Sequence, residues 1–140
     1  MKILIDANIA LDVLLERQVF YRSGTKVLGL SKAGINLYIS ASTITDIYYI
    51  IRKERKGKEI AVALTRSLLT TVDIAAVSGS EIYRAIDLGW NDFEDAVLFA
   101  VGEKLKVDYI VTRNGSDFSA SSIPVKTPEE ILTLFTVKNS

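Results

Sequence analysis

The sequence predicts an α/β protein, a three-layer α/β/α sandwich with a mostly parallel central sheet. Three observations carry this. Short apolar runs with β-branched residues alternate with longer segments whose apolar residues recur at helical spacing. The short runs are apolar nearly throughout, as strands covered on both faces must be. At 140 residues, with no internal repeat, low-complexity tract or linker, the chain is predicted to form a single domain over 1–140.

The elements follow in order. Lys2–Ile5 is the first strand, ended by Asp6. Asn8 suits the cap of a helix over Ile9–Arg17, where Leu11, Leu14 and Leu15 recur at helical spacing. A second helical pattern covers Tyr21–Lys32 and stops at Gly34. Leu37–Ile39 is the second strand. Ser40 to Thr43 offers several caps for a helix running to about Lys56, with Ile44, Ile47, Tyr48 and Ile51 on one face. Gly57 breaks it, Lys58–Leu69 is again helical, and Val72–Val77 is the third strand. Ser78 or Ser80 caps a short helix ending at Gly89.

The stretch from Trp90 to Phe118, WNDFEDAVLFAVGEKLKVDYIVTRNGSDF, organises the rest. Asp92, Glu94 and Asp95 open a helix that ends near Lys106. A strand, Asp108–Thr112, follows, and a polar loop then carries Asn114, Gly115 and Asp117. Ile123–Val125 is the fifth strand, and Pro128 suits the first turn of a last helix, Glu129–Phe135. Only Val137–Ser140 reads as loosely ordered.

Composition narrows the chemistry. With no cysteine there is no disulfide, thiolate metal site or cysteine nucleophile. With no histidine there is no Ser-His-Asp triad and no imidazole base or ligand. Acid–base or metal chemistry must run on oxygen, which favours the hard cations Mg²⁺ and Mn²⁺. Seventeen basic and seventeen acidic residues cancel, so any contact with nucleic acid needs a local patch. No apolar run reaches the roughly 18 residues of a membrane span, and no signal-like leader opens the chain. The expectation is a soluble, cytoplasmic protein.

Ligands of open parallel α/β sheets bind beyond the carboxyl ends of the strands. Asp6 follows the first strand, and Asp46 is placed in the first turn of the helix after the second. Asp95 opens the helix before the fourth strand, and Asp117 lies in the loop after it. Each acid also has an ordinary structural role. Asp6 suits a helix cap, Asp46 a capping box with Thr43, Asp92 to Asp95 the positive end of a helix dipole, and Asn114 to Asp117 a turn. Their shared position favours a joint role, because clustered carboxylates repel and a bound cation relieves that cost.

The surrounding residues are more specific. MKILIDANIALDVLLE, SASTITDIYYIIRK and DFEDAVLFAVGEKLKVDYIVTRNGSDF, followed by IPVKTPEEIL, resemble the PIN domain family, in its branch of VapC-type toxin ribonucleases. The resemblance covers most of the chain, though Lys58–Trp90 carries little of it. It implies Mg²⁺- or Mn²⁺-dependent hydrolysis of RNA, an antitoxin partner and a homodimer. It implies Asp6, Asp46, Asp95 and Asp117 as catalytic acids, with Asp6, Asp95 and Asp117 on the metal. Asp46 stands where the family usually has glutamate, one methylene longer. Asn8, Thr112 and Asn114 match supporting positions.

Arg113 is the nearest candidate for an RNA phosphate. The basic run Arg52–Lys58 reads more simply as a solvated helix end. Tyr48, Tyr49 and Trp90 are possible stacking residues, with packing the more ordinary role for at least two. Two rival functions stand beside the nuclease. One is an RNA-binding module of the same fold that does not cleave. The other is a receiver-like phosphoacceptor domain, which fits poorly because no aspartate ends the third strand.

Overall fold

β1 (Lys2–Ile5) is the axis of the molecule. Ile3, Leu4 and Ile5 are fully buried, and they alternate. Ile3 and Ile5 enter one apolar cluster and Leu4 the other, as the two-residue period of a strand requires. One short strand thereby fixes a helical layer to each face of the sheet. The computed structural model describes residues 1–139, with side-chain environments as far as Phe135. Val137–Asn139, expected to be loosely ordered, instead continue the last helix, and Ser140 lies outside the described residues.

β1 pairs in parallel with β2 (Asn36–Ser40) on one side and β4 (Tyr109–Val111) on the other. β3 (Asp73–Ala75) extends the sheet beyond β2, and β5 (Val125–Lys126) beyond β4. The order is β3-β2-β1-β4-β5, with every pairing among the described residues parallel. The chain therefore builds outward from β1 to β3, then returns to the opposite side of β1 as β4. The carboxyl ends of β1 and β4 are the point where the connections diverge, the usual place for a ligand crevice. Receiver-type domains use the order 2-1-3-4-5. The observed order and the close of β3 at Ala75 set that rival aside.

One cluster takes Ile9 and Leu11 from α1 (Ala7–Leu14), Val27 from α2 (Tyr21–Leu28), and Ile47 and Ile51 from α3 (Ala41–Arg55). It also takes Ala61 and Leu68 from α4 (Lys58–Leu68) and Ile131 from α7 (Pro128–Asn139). The other face is covered by α5 (Gly79–Leu88) and α6 (Phe93–Leu105). Ala96 through Gly102 are all buried, so α6 is a core helix rather than an amphipathic one. Gly102 permits its close approach. A Cβ there would meet Leu4 at 3.3 Å, Ile123 at 3.2 Å and Val107 at 3.1 Å.

Several boundaries differ from the sequence expectation for local reasons. α1 begins at Ala7 rather than Ile9, because Asp6 and not Asn8 caps it. The predicted helix Tyr21–Lys32 divides into α2 and a 3₁₀ turn, Gly29–Ala33, closed by Gly34 in the left-handed region at φ 84°. Ser40 caps α3 by accepting the Thr43 N–H at 3.2 Å, so the Thr43–Asp46 capping box does not form and Asp46 sits in the second turn. β3 is shorter than predicted, and β5 lies two residues later than expected at its start. α7 is capped by Thr127, whose Oγ1 accepts the Glu130 N–H at 3.1 Å while Glu130 accepts the Thr127 N–H at 2.9 Å.

α5 is held by a buried acid. Glu81, 3% exposed, accepts the Ser78 N–H at 3.0 Å, the hydroxyls of Ser78 and Ser80, and Lys104 Nζ at 3.3 Å. These donors hold its carboxyl down at about 2, the Ser80 hydroxyl foremost. An acid whose pKa is lowered by folding adds stability above its unfolded value, and that contribution fades as pH falls toward the folded one. Glu81→Gln is therefore expected to cost about 1.5–3 kcal/mol at pH 7, the range for hydrogen bonds to a charged group. Urea denaturation should show the gap to wild type closing between the ordinary carboxylate range and about 2. A gap independent of pH would refute the ionic role.

Candidate active site

At the divergence point the strands hand over directly to the site. Ile5 pairs with Val111, and the Asp6 N–H donates to the Val111 carbonyl at 3.0 Å. Asp6 and Thr112 consequently stand side by side. Thr112 Oγ1 donates to Asp6 Oδ2 at 2.8 Å, and the Ala7 N–H donates to Asp6 Oδ1 at 2.7 Å. Thr112 Oγ1 accepts in turn from Asn8 Nδ2 at 3.2 Å and from the Asn114 N–H at 3.1 Å. Asn8 Oδ1 accepts the Arg113 N–H at 3.3 Å. A hydroxyl has one proton and two lone pairs, and fully buried Thr112 uses all three. Asn8, Thr112 and the Asn114 backbone N–H thus form one hydrogen-bonded network, which reaches Asp6 through Thr112 and Asn8.

Three other segments bring acids toward it. α3 carries Asp46. Asp92 caps α6, its Oδ1 accepting the Asp95 N–H at 3.0 Å, and Glu94 and Asp95 occupy the first turn. Asp117 lies in a 3₁₀ turn, Gly115–Phe118. That turn is anchored by buried Phe118, edge-on to Trp90 at 6.1 Å, while Trp90 packs against Phe99 at 5.1 Å. Trp90 is therefore a packing residue, and of the other two aromatic candidates Tyr48 packs against the core while Tyr49 remains exposed.

Asp6, Asp46, Glu94 and Asp95 line one cleft of about 220 Å³, together with Ile82 and Phe93. Asp117 lines a second cleft with Asp92 and Trp90. Its charge still reaches the first, since it raises the proton affinity of both Asp6 and Asp95.

Electrostatics show how crowded these acids are. Asp95 is pushed up to about 7, by burial first and then by Asp92, Asp6, Asp117 and Glu94. Burial also raises Asp6, against the lowering effect of the Thr112 and Ala7 hydrogen bonds. Glu94 is raised chiefly by Asp46, which places those two charges against each other. Among the described residues no lysine or arginine comes within 4.0 Å of any of them.

An oxygen-only donor set under mutual repulsion matches a hard divalent cation in kind. No three acids among the described residues are grouped tightly enough to grip one ion as they stand. The fit is therefore in donor type and charge rather than in a finished coordination geometry.

Arg113 requires a correction. Its guanidinium is not poised toward a phosphate. Nε donates to Asp12 Oδ2 at 2.7 Å and Nη2 to Asp12 Oδ1 at 3.1 Å, and the group lies 3.9 Å from the Phe20 ring centre. Asp12 is 1% exposed and also has Arg17 at 3.8 Å. This ion pair ties α1 to the loop after β4, the same loop that presents Thr112. Sequence reasoning missed Asp12, whose spacing on an otherwise apolar helix face was the available signal. It also left Asp92 and Glu94 as dipole acids, although both belong to the acid field.

The comparisons with known proteins identify the family and the fold. A PIN domain family model matches residues 2–116, and the chain belongs to the PIN domain family. Among its solved structural neighbours is a toxin–antitoxin complex from Klebsiella pneumoniae, 27% identical. The match has a TM-score of 0.67 and covers 89% of this chain and 96% of that one. VapBC2 from Rickettsia felis, bound to a promoter DNA fragment, is 16% identical with a TM-score of 0.70, covering 90% and 97%. VapC20 from Mycobacterium tuberculosis, a sarcin-ricin loop cleaving toxin, is 19% identical with a TM-score of 0.69, covering 86% and 95%. No curated protein matches the sequence.

Two stability predictions follow from the charges. Folding raises the Asp95 pKa, so the folded state holds a proton that the unfolded state has released. Stability then falls as pH climbs from about 4 to about 7. In metal-free buffer at pH 8, Asp95→Asn is expected to be more stable than wild type by on the order of 1–3 kcal/mol, with little difference at pH 3. A variant less stable than wild type at pH 8 would contradict the charge crowding. Asp12→Ala leaves a half-buried arginine without its counterion and should cost about 3–5 kcal/mol. Chemical denaturation checks both, and a loss below about 1 kcal/mol for Asp12→Ala would show the pair to be dispensable.

Proposed function

We propose that the protein is a metal-dependent ribonuclease, using Mg²⁺ or Mn²⁺, and the toxin of a toxin–antitoxin pair. One observation carries the reading. Asp6, Asp46 and Asp95 converge on a single cleft at the sheet's divergence point, where Asp6 and Asp95 have raised proton affinities and no described lysine or arginine pairs with any of the three. Family membership and the toxin–antitoxin neighbours support it.

In this reading Asp6 and Asp95 would hold the ion, Asp46 would complete the acid wall of their cleft, and Asp117 would add its charge from the second cleft. A bound divalent ion lowers the pKa of water and neutralises a phosphodiester. Thr112 donates a hydrogen bond to Asp6 Oδ2 and the Ala7 N–H donates to Oδ1, so both oxygens of this cleft-lining carboxylate are held in place. The high proton affinity of Asp95 makes it able to release a proton on binding a cation near neutral pH. Arg113 acts on the loop rather than on RNA. An antitoxin partner, a homodimer and a cytoplasmic location belong to the same proposal. No described helix is long and apolar enough to cross a membrane.

A second reading is an RNA-binding domain of this fold that does not cleave. It is favoured by the shorter Asp46 side chain and by the absence of any three acids grouped for one ion among the described residues. Incubation of purified protein with RNA and Mg²⁺ or Mn²⁺ separates the two. Asp6→Asn and Asp95→Asn are each expected to lower the cleavage rate by about 100-fold or more, the scale of losing one group that stabilises the transition state. Cleavage that persists in EDTA, or in both variants, would count against this site.

A further inference from the structure

Phe93 is an anomaly in its helix. From Ala96 to Gly102 α6 is buried without a break, and the neighbouring aromatics Trp90, Phe99 and Phe118 pack against one another. Phe93 stays 47% exposed although it sits between the cap Asp92 and the cleft acids Glu94 and Asp95. It lines the acid cleft, and Ile82 of α5, 37% exposed, lines it as well. The cleft therefore has two kinds of wall. Asp6, Asp46 and Asp95 supply charge, while Phe93 and Ile82 supply an apolar surface that remains wet in the free protein.

A group that satisfies both walls must be anionic where a cation bridges it to the acids, and flat and apolar next to that. A nucleotide has this shape, with its phosphate and its base joined through one ribose. Aromatic side chains hold bases by stacking, with little regard to sequence, because every base has a π-face. A base offers that face only when it is unpaired or splayed from its neighbours, as in single strands, loops and bulges.

We propose that Phe93 stacks on the nucleobase beside the scissile phosphate. This rests on the ribonuclease reading above. Ile82 closes the edge of the stacked base. Phe93 is a specificity residue, and it leaves metal binding to the acids.

The test compares wild type, Phe93→Trp, Phe93→Leu and Phe93→Ala on a single-stranded RNA and on the same strand annealed to its complement, with Mg²⁺ present. Cleavage kinetics and RNA binding by fluorescence anisotropy are both read. Leucine keeps an apolar side chain but has no flat face, so it isolates stacking from simple burial. Leucine and alanine should raise KM and the dissociation constant about 10-fold, the scale of one lost base stack, with kcat changed far less. Tryptophan should restore wild-type values, and the duplex should be a poor substrate throughout. Equal KM for the leucine and tryptophan variants, or a duplex cut as well as the single strand, would overturn the proposal. If no variant cleaves but leucine still weakens binding 10-fold, stacking stands and the nuclease reading falls. If wild type binds no single-stranded RNA, both fall.

Discussion

The hydrogen bond from Thr112 to Asp6 is the contact on which the site depends. It spans 106 positions of sequence and 2.8 Å of space. It exists because β1 and β4 lie adjacent and in register, so that the residue after each strand emerges beside the other. The register is fixed by burial. Ile3, Ile5 and Val111 share one cluster while Leu4 and Ile110 share the other, and a one-residue slip would exchange every side chain between faces. The core thus determines to within one residue where the first carboxylate stands.

The same arrangement works against stability at the cleft. Placing Asp6, Asp46, Asp92, Glu94, Asp95 and Asp117 within reach of one another costs free energy that no described basic side chain returns. The cost is borne by packing elsewhere. α6 presents its acids from a first turn whose following two turns are wholly buried, and Asp117 rides on a turn held by Phe118. Sites that gather like charges are commonly functional for this reason, since a structure without use for them would lose them cheaply.

Asp12 and Arg113 solve a different problem. The loop after β4 has to be rigid, because it carries Thr112, which bonds Asp6, and Asn114, whose backbone N–H holds the Thr112 hydroxyl. Arg113 lies between those two residues and is drawn inward by a buried carboxylate and an aromatic face. A positive charge close to the cleft is in this way spent on positioning. It does not neutralise the acids, and they stay available to an external cation.

Much of this was legible in the sequence, and the limits are instructive. The alternation of β-branched runs with helical periodicity, the glycines at Gly34, Gly57 and Gly89, and the absence of cysteine and histidine were enough for the α/β class and for oxygen-based chemistry. These are local properties, governed by backbone propensity and side-chain chemistry, so they can be read residue by residue. The local signal was weaker at element ends, where Asp6 and Asn8, or Ser40 and Thr43, compete as caps with similar chemistry.

What only the tertiary structure decided is which side chains face one another. Sheet order placed Asp6 beside Thr112. The packing of α3, α5 and α6 put Asp46 against Glu94, and Ile82 with Phe93 in the same cleft. Burial turned Arg113 away from solvent toward Asp12. Pairings of this kind depend on contacts between distant parts of the chain. Their energies arise only once water has been excluded from between those parts, and no local stretch of residues encodes that.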